Sequence, residues 1–206
     1  KKYLKDKSFN RGIEIGSGTG ILTIICSKFT NSFEAIDYNQ RAIEYTKLNV
    51  KINKLPNINT TYSNLFDKVE GKFDFMLAAP WFVDLKKGGL EEVPFILEGL
   101  KNYLTDDGLC VMTLNSYVKE GKDPNIDFFE KFVKSSKYDI DLYTMGYNIE
   151  RERISDWKKN KIDYCVGYFS IIKKKGTGIL RRHEVSAFRK IRDFTFIYLY
   201  RFFNKY

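Results

Sequence analysis

The stretch Gly12-Ile13-Glu14-Ile15-Gly16-Ser17-Gly18-Thr19-Gly20, followed by Ile21, Leu22, Ile24 and Ile25, decides how this chain is read. An apolar run, three alternating glycines and a second apolar run spell a buried strand, a turn and a helix, the opening unit of a nucleotide-binding α/β fold. Glycine accepts backbone conformations and close ligand approaches that a Cβ blocks, so the loop makes room for a flat, polar ligand. Spacing narrows the choice of ligand. A dinucleotide fingerprint needs a small residue where Ile21 stands. A triphosphate loop needs Gly-Lys-Ser/Thr at its end, whereas Gly20 leads into Ile21 and Leu22. NAD, FAD and ATP are therefore disfavoured.

The pattern that remains, E-x-G-x-G-x-G from Glu14 to Gly20, resembles motif I of the class I S-adenosylmethionine-dependent methyltransferases. The resemblance implies S-adenosyl-L-methionine as cofactor, with Gly16, Ser17, Gly18 and Gly20 admitting it to the backbone and Glu14 helping to hold its amino group. Phe33-Glu34-Ala35-Ile36-Asp37 reads as a second strand. It ends in a carboxylate about twenty residues beyond the loop, where such folds place an acceptor for ribose hydroxyls. Asp37 is thus the best single cofactor contact, with Tyr38 beside it. Asp37 is alternatively a helix cap, or Asn39 is, because Ala42, Ile43, Tyr45, Leu48 and Val50 follow at helical spacing. Ile58 to Tyr62 reads as a third strand, followed by Ser63-Asn64-Leu65-Phe66-Asp67. The resemblance implies that position 64 meets the adenine amino group and the next backbone N–H, at Leu65, meets the ring. The family usually has an acidic residue there; the Asn64 carbonyl can still accept that hydrogen bond.

The fourth strand is where the chain departs most from the family it resembles. Phe73-Asp74-Phe75-Met76-Leu77-Ala78-Ala79-Pro80-Trp81-Phe82 resembles the segment ending in Asn-Pro-Pro-Tyr. That segment occurs in small N-methyltransferases acting on release-factor glutamine or on nucleic-acid amino groups. Here it reads Ala-Pro-Trp-Phe. Ala78 is expected on the cofactor side and Ala79, Pro80, Trp81 and Phe82 on the acceptor side. The missing amide matters, because its carbonyl accepts an acceptor N–H and aims the nitrogen lone pair at the methyl group. Trp81 and Phe82 keep flat surfaces for stacking. A hydrophobic loop capping the sheet is the plainer alternative.

Beyond this point Val93, Ile96, Leu97, Leu100 and Leu104 mark a helix, and Leu109 to Leu114 a fifth buried strand. Phe128, Phe129, Phe132 and Val133 suggest a helix after Pro124. Two more strands, Tyr138 to Tyr147 and Tyr164 to Ile172, are joined by a charged segment with no apolar face. The expected fold is α/β: a Rossmann-like, seven-stranded, mostly parallel sheet with helices on both faces, its last strand inserted antiparallel. The resemblance covers roughly residues 9–173. The expected organisation is a methyltransferase domain over residues 1–175 and a basic, aromatic C-terminal extension over residues 176–206, beginning at a hinge, Gly176-Thr177-Gly178.

With 206 residues, 43% of them hydrophobic, the chain can bury one large core. No apolar run reaches membrane-span length and no signal-peptide pattern opens the chain, so a cytoplasmic location is expected. Cys26, Cys110 and Cys165 lack metal-ligand spacing and read as buried thiols; no metal is expected. His183, the single histidine, reads as a surface residue. The net charge of +9 is uneven: residues 151–206 hold 15 basic and 5 acidic side chains, net +10, and residues 1–150 are net −1. Such a field attracts polyanions, so RNA or a ribosome-associated protein is an expected partner. A lysine-rich, solvated surface explains the charge equally well. Val185, Phe188, Ile191, Phe194 and Tyr198 lie at helical spacing, yet Phe194 to Tyr200 also alternates like a strand. Either way the tail is too aromatic to stay in water; core packing or homodimer contact is expected, with a membrane surface as the alternative.

The resemblance implies methyl transfer to a nitrogen of RNA or of a translation-related protein. Ala79 keeps open a small-molecule or oxygen acceptor, and a non-catalytic partner subunit that binds the cofactor is the third reading.

Overall fold

The computed structural model describes residues 7–80, 83–84, 89–148 and 154–184. The first half holds β1 (Phe9–Ile15), α1 (Ile21–Cys26), a 3-10 turn (Ser27–Phe29), β2 (Thr30–Asp37), α2 (Gln40–Ile52), β3 (Ile58–Tyr62) and β4 (Phe73–Ala78). A two-stranded ribbon of β5 (Val83–Asp84) and β6 (Gly89–Leu90) precedes α3 (Glu92–Tyr103). The second half holds β7 (Leu104–Lys119), α4 (Pro124–Ser136), β8 (Asp139–Asn148), α5 (Ile154–Lys159), β9 (Ile162–Lys173) and β10 (Leu180–Glu184).

The main sheet has eight strands, not the expected seven, in the order β10-β8-β9-β7-β4-β1-β2-β3. Every neighbouring pair is parallel except those of β9, which inserts antiparallel between β7 and β8. The antiparallel insertion is as expected. The extra strand is β10, whose Arg181, Arg182, His183 and Glu184 hide it from a search for apolar alternation; an edge strand has no need of it.

The central strands are buried on both faces, which is why they read as short, nearly continuous apolar runs. On β4, Met76 and Ala78 face one layer, with Leu97 and Leu100 of α3 and Phe129 and Phe132 of α4. Phe75 and Leu77 face the other, with Phe9, Leu22 and Phe33, and Phe9 stacks on Phe75 at 4.6 Å. This period of two follows from the pleat.

Local departures from the sequence reading have physical causes. In α2 the residues turned inward are Ile43 and Thr46, while Tyr45 and Leu48 are exposed, because one of the inward positions carries a hydrogen-bonding threonine, directed at the Gly18 carbonyl of the glycine loop, in place of an apolar side chain. The charged segment after β8 does have an apolar side: Trp157 of α5 is buried edge-on against Tyr117 at 5.8 Å. Strand β7 is much longer than expected. Leu104 and Leu109 both pair with β4, the acidic turn between them bulges out, and β9 continues the pairing to Lys119.

Gly176-Thr177-Gly178 is a pinned turn rather than a hinge. Asp139 Oδ1, at the foot of β8, accepts the N–H groups of Thr177 at 2.8 Å, Gly178 at 3.1 Å and Ile179 at 3.2 Å. Burial alone would raise the Asp139 carboxyl, but these N–H donors and Arg181 hold it below the usual carboxylate range. His183 is not an isolated surface group: it lies 3.1 Å from Asp141 and stacks on Tyr143 at 4.5 Å. All three cysteines are buried. No helix among the described residues is long and apolar enough to cross a membrane. The aromatic tail, residues 185–206, lies outside the described residues.

Candidate functional site

The glycine loop sits at the carboxyl end of β1, between β4 on one side and β2 on the other, where the strand order changes direction. This is where open α/β sheets bind ligands. The N–H groups of Gly16 and Ser17 both donate to the Ile36 carbonyl at 2.9 Å, which ties the loop to the end of β2. Gly16 and Gly18 have φ of 76° and 56°, a region other residues rarely adopt, and a Cβ on either would point into empty space. That space is the cavity. Helix α2 clamps the loop from outside: Thr46 Oγ1 donates to the Gly18 carbonyl at 3.1 Å, and Asn49 Nδ2 to the Thr19 carbonyl at 2.8 Å.

Asp37 closes the other side of the loop. Its Oδ2 accepts the Gly18 N–H at 2.9 Å and its Oδ1 the Asn39 N–H at 2.8 Å. The cap of α2 is Asn39, whose side chain accepts the Arg41 N–H at 3.0 Å. A carboxylate offers about four lone-pair sites, so Asp37 retains acceptor capacity toward the cavity. Glu14 lies deeper, 2% exposed, and accepts the Thr23 hydroxyl. Burial pushes its carboxyl up to about 8, against the lowering hydrogen bonds from Thr23; the nearby Asp37 charge raises it further.

A cavity of about 970 Å³ unites these groups. Of the sequence-derived candidates, Glu14, Gly16, Ser17, Gly18, Asp37, Tyr38, Asn64, Leu65, Ala79 and Pro80 line it. Two others do not. Gly20, with φ of 80°, turns the chain into α1 and faces Thr46, where a Cβ would meet the threonine methyl at 2.8 Å. Ala78 is buried among core side chains. Trp81 and Phe82 lie outside the described residues.

Sequence reasoning missed Thr46 and Asn49, three positions apart on α2, and the far wall of the cavity, formed by Glu91, Glu92, Phe95 and Ile96. Glu92 opens α3, and Phe95 and Ile96 follow it by three and four residues, one helical turn, so they share a face. Burial raises the Glu92 carboxyl above its ordinary value, its own backbone N–H pulls it down, and the Glu91 charge adds to the rise. Five lining residues, Glu14, Asp37, Asp67, Glu91 and Glu92, carry carboxyl groups, and none of the described lining residues is Lys, Arg or His. In a chain of net charge +9 this is a marked local inversion. The cavity is chemically suited to a cationic ligand.

Comparison with known proteins places this geometry in a family. The model of the methyltransferase small domain matches residues 2–140. A putative protein N5-glutamine methyltransferase of Methanocaldococcus jannaschii is 30% identical over 60% of this chain and 71% of its own length. A ribosomal protein L11 methyltransferase of Thermotoga neapolitana is 38% identical over 38% of this chain, but the match spans only 29% of that enzyme. Among solved structures, the ribosomal protein L11 methylase of Lactobacillus delbrueckii subsp. bulgaricus superposes with a TM-score of 0.56. It is 20% identical, with 82% of this chain and 72% of that one covered, which supports the fold. With the family model spanning well over half of its length, the chain belongs to the methyltransferase small domain family and has the Rossmann-like fold of the class I methyltransferases.

Proposed function

We propose that the chain transfers a methyl group from S-adenosyl-L-methionine to a nitrogen of a translation-related protein in the cytosol. The observation that carries this reading is the cavity at the carboxyl ends of β1, β2 and β4, lined by five carboxyl groups and, among the described residues, by no basic side chain. When bound, S-adenosylmethionine supplies an electrophilic methyl carbon on a sulfonium centre, and it brings a second positive charge as an ammonium. Both charges suit this lining. Glu14 would take the ammonium, Gly16, Ser17 and Gly18 would lie against the donor's backbone-facing side, and Asp37 would take the ribose hydroxyls with its remaining lone pairs. Tyr38, Asn64 and Leu65 would border the adenine. Ala79, Pro80, Trp81 and Phe82 would flank the acceptor.

The protein's work in such a reaction is positioning: holding nitrogen and methyl carbon close, aligned and away from water. The volume of about 970 Å³ is at the upper end of the ~300–1,000 Å³ usual for small-molecule sites, room for a donor and an acceptor side chain together. A protein side chain is favoured over RNA because phosphates entering an acidic cavity are repelled. Within the described part of the basic region, Lys161, Lys174, Lys175 and Arg181 are paired with Glu120, Asp106, Asp107 and Asp139 or Asp141, which lowers the charge these four offer to RNA. The relatives' names, which specify protein glutamine and ribosomal protein L11, point the same way. Ala79, without an orienting amide, favours a second reading, a small-molecule acceptor.

The test is transfer of labelled methyl from S-adenosylmethionine into a fractionated lysate. Label in a protease-sensitive fraction supports the proposal, label only in small solutes supports the second reading, and label in an RNase-sensitive fraction overturns the choice of protein. Cofactor binding without transfer to any fraction would indicate a non-catalytic subunit.

A further inference from the structure

We propose that Thr46 and Asn49 of α2 are positioning residues for the methyl donor: by holding the carbonyls of Gly18 and Thr19 away from the cavity, they turn the Thr19 N–H toward it, where it meets an acceptor oxygen of the donor. This inference deepens the methyltransferase reading above and rests on it. Neither Thr46 nor Asn49 lines the cavity, whereas Gly18 and Thr19 both do. The two side chains act through the loop.

The hydrogen bonds of the loop single out one amide. Gly16 and Ser17 donate to the Ile36 carbonyl, Gly18 donates to Asp37, and Gly20 donates to the Ser17 carbonyl at 2.8 Å. The Thr19 N–H has no partner among the described residues. Its direction follows from its own peptide, because the carbonyl and the N–H of a trans peptide point opposite ways. The carbonyl of the peptide joining Gly18 to Thr19 is aimed at Thr46 Oγ1, 3.1 Å away on α2. The N–H of that peptide therefore faces away from α2, toward the cavity that Thr19 lines. Asn49 Nδ2 holds the next carbonyl, that of Thr19, outward at 2.8 Å. With Asp37 on its N–H and Thr46 on its carbonyl, Gly18 is fixed from both sides at a φ of 56°.

Thr46 is suited to this task better than to the core. It is fully buried on the inward face of α2, where valine would fill nearly the same shape without a hydroxyl to satisfy. Its Oγ1 lies 3.3 Å from Ser17 Oγ. Since the Thr46 hydroxyl donates to Gly18, Ser17 must donate to Thr46, and the two bonds form a chain in which each polarises the next. Its methyl also packs against Gly20, so one side chain touches the loop at residues 17, 18 and 20. Without the hydroxyl, the Gly18 carbonyl loses its partner and the peptide is free to turn. It would then present an oxygen to the donor instead of an N–H, and an acceptor oxygen at that point would be repelled.

The experiment titrates S-adenosylmethionine calorimetrically into the full chain and into Thr46→Val, Thr46→Ser, Asn49→Leu and Ile43→Val. The last is a control for stability alone, a core change one turn earlier on the same helix. Thr46→Val keeps the shape and loses the hydroxyl, and should raise Kd about tenfold; Asn49→Leu should raise it about threefold to tenfold. Thr46→Ser keeps the hydroxyl and should bind within about twofold of the unaltered chain. With the total ribosomal protein fraction as acceptor, KM for the donor should rise in step with Kd while kcat holds. Ile43→Val should lower the melting temperature and leave Kd unchanged. Amide exchange followed by NMR gives a readout independent of turnover. The donor should slow exchange of the Thr19 N–H at least about tenfold in the unaltered chain and in Thr46→Ser, and far less in Thr46→Val. Unchanged donor affinity in Thr46→Val overturns the assignment, as does a Thr19 amide whose exchange the donor leaves unaltered. So does a loss of affinity that Ile43→Val shares or that Thr46→Ser fails to restore, the signature of a structural role. If the unaltered chain binds no donor, the methyltransferase reading itself fails and takes this inference with it, an outcome separate from any difference among the variants.

Discussion

The two ends of the main sheet handle charge in opposite ways. At the carboxyl ends of β1 and β2, Glu14 and Asp37 are satisfied by a hydroxyl and by backbone N–H groups, and no described residue of the cavity lining around them is basic. At the opposite end, around the start of β7 and the end of β9, charges meet charges. Lys174 reaches Asp106 at 3.4 Å and the carbonyls of Lys101 and Leu104, and Lys175 reaches Asp107 at 3.1 Å. Ion pairs close one end of the molecule, while the other keeps carboxyl groups whose cationic partner would come with a ligand. Net charge alone conceals this, since the positive excess lies mostly in the last quarter of the sequence and the cavity carries the reverse sign.

The largest effect that would sharpen this contrast belongs to Glu14. Its carboxyl is raised from 4.5 to about 8, so the folded chain holds a proton that the unfolded chain releases between those values. The associated stability is fully present below pH 4.5 and is lost as pH rises through about 8. Denaturant titrations of the ligand-free protein should lose about 4 kcal/mol across that window, and Glu14→Gln should flatten the dependence. A pH-independent stability in the unaltered chain would break the claim.

Next comes Asp37. Asp37→Ala strands two backbone N–H groups, and urea unfolding should show a cost of about 2–3 kcal/mol along with loss of donor binding. Gly18→Val should be milder in stability, about 1–2 kcal/mol for the left-handed backbone, yet equally severe for binding because its side chain enters the space left for the donor. A Gly18 variant that binds normally would place the ligand elsewhere. The smallest effects are at the basic end. Lys175→Ala should change stability by less than about 0.5 kcal/mol, being an exposed pair, whereas the mostly buried Lys174, which caps two carbonyls, should cost about 1–2 kcal/mol when removed. Neither should alter methyl transfer, and a strong loss of transfer in Lys175→Ala would restore a role for the basic surface.

How much of this was legible in the sequence depends on what each element must satisfy. The strands β1 to β4, the glycine loop and Asp37 were readable because strands buried on both faces are short apolar runs bounded by breakers, and the loop's spacing is restrictive. Helix α5 was not, since six residues with one buried Trp157 show no period. Strand β10 was hidden by its polar edge residues, and Thr46 and Asn49 by lying where an apolar pattern was sought. Glu92 could not be singled out at all: Glu91-Glu92 before an apolar helix is ordinary, and only its surroundings reveal a carboxylate oxygen without a partner.

The central claim is that an acidic, glycine-floored cavity holds a cationic methyl donor. Calorimetric titration of S-adenosylmethionine at pH 7, repeated in two buffers of different ionisation enthalpy, tests it most directly. The account predicts saturable one-site binding with proton release, as the incoming ammonium returns Glu14 to its carboxylate, and loss of that binding in Asp37→Ala. Absence of binding heat, or binding that survives Asp37→Ala and releases no proton, would contradict it.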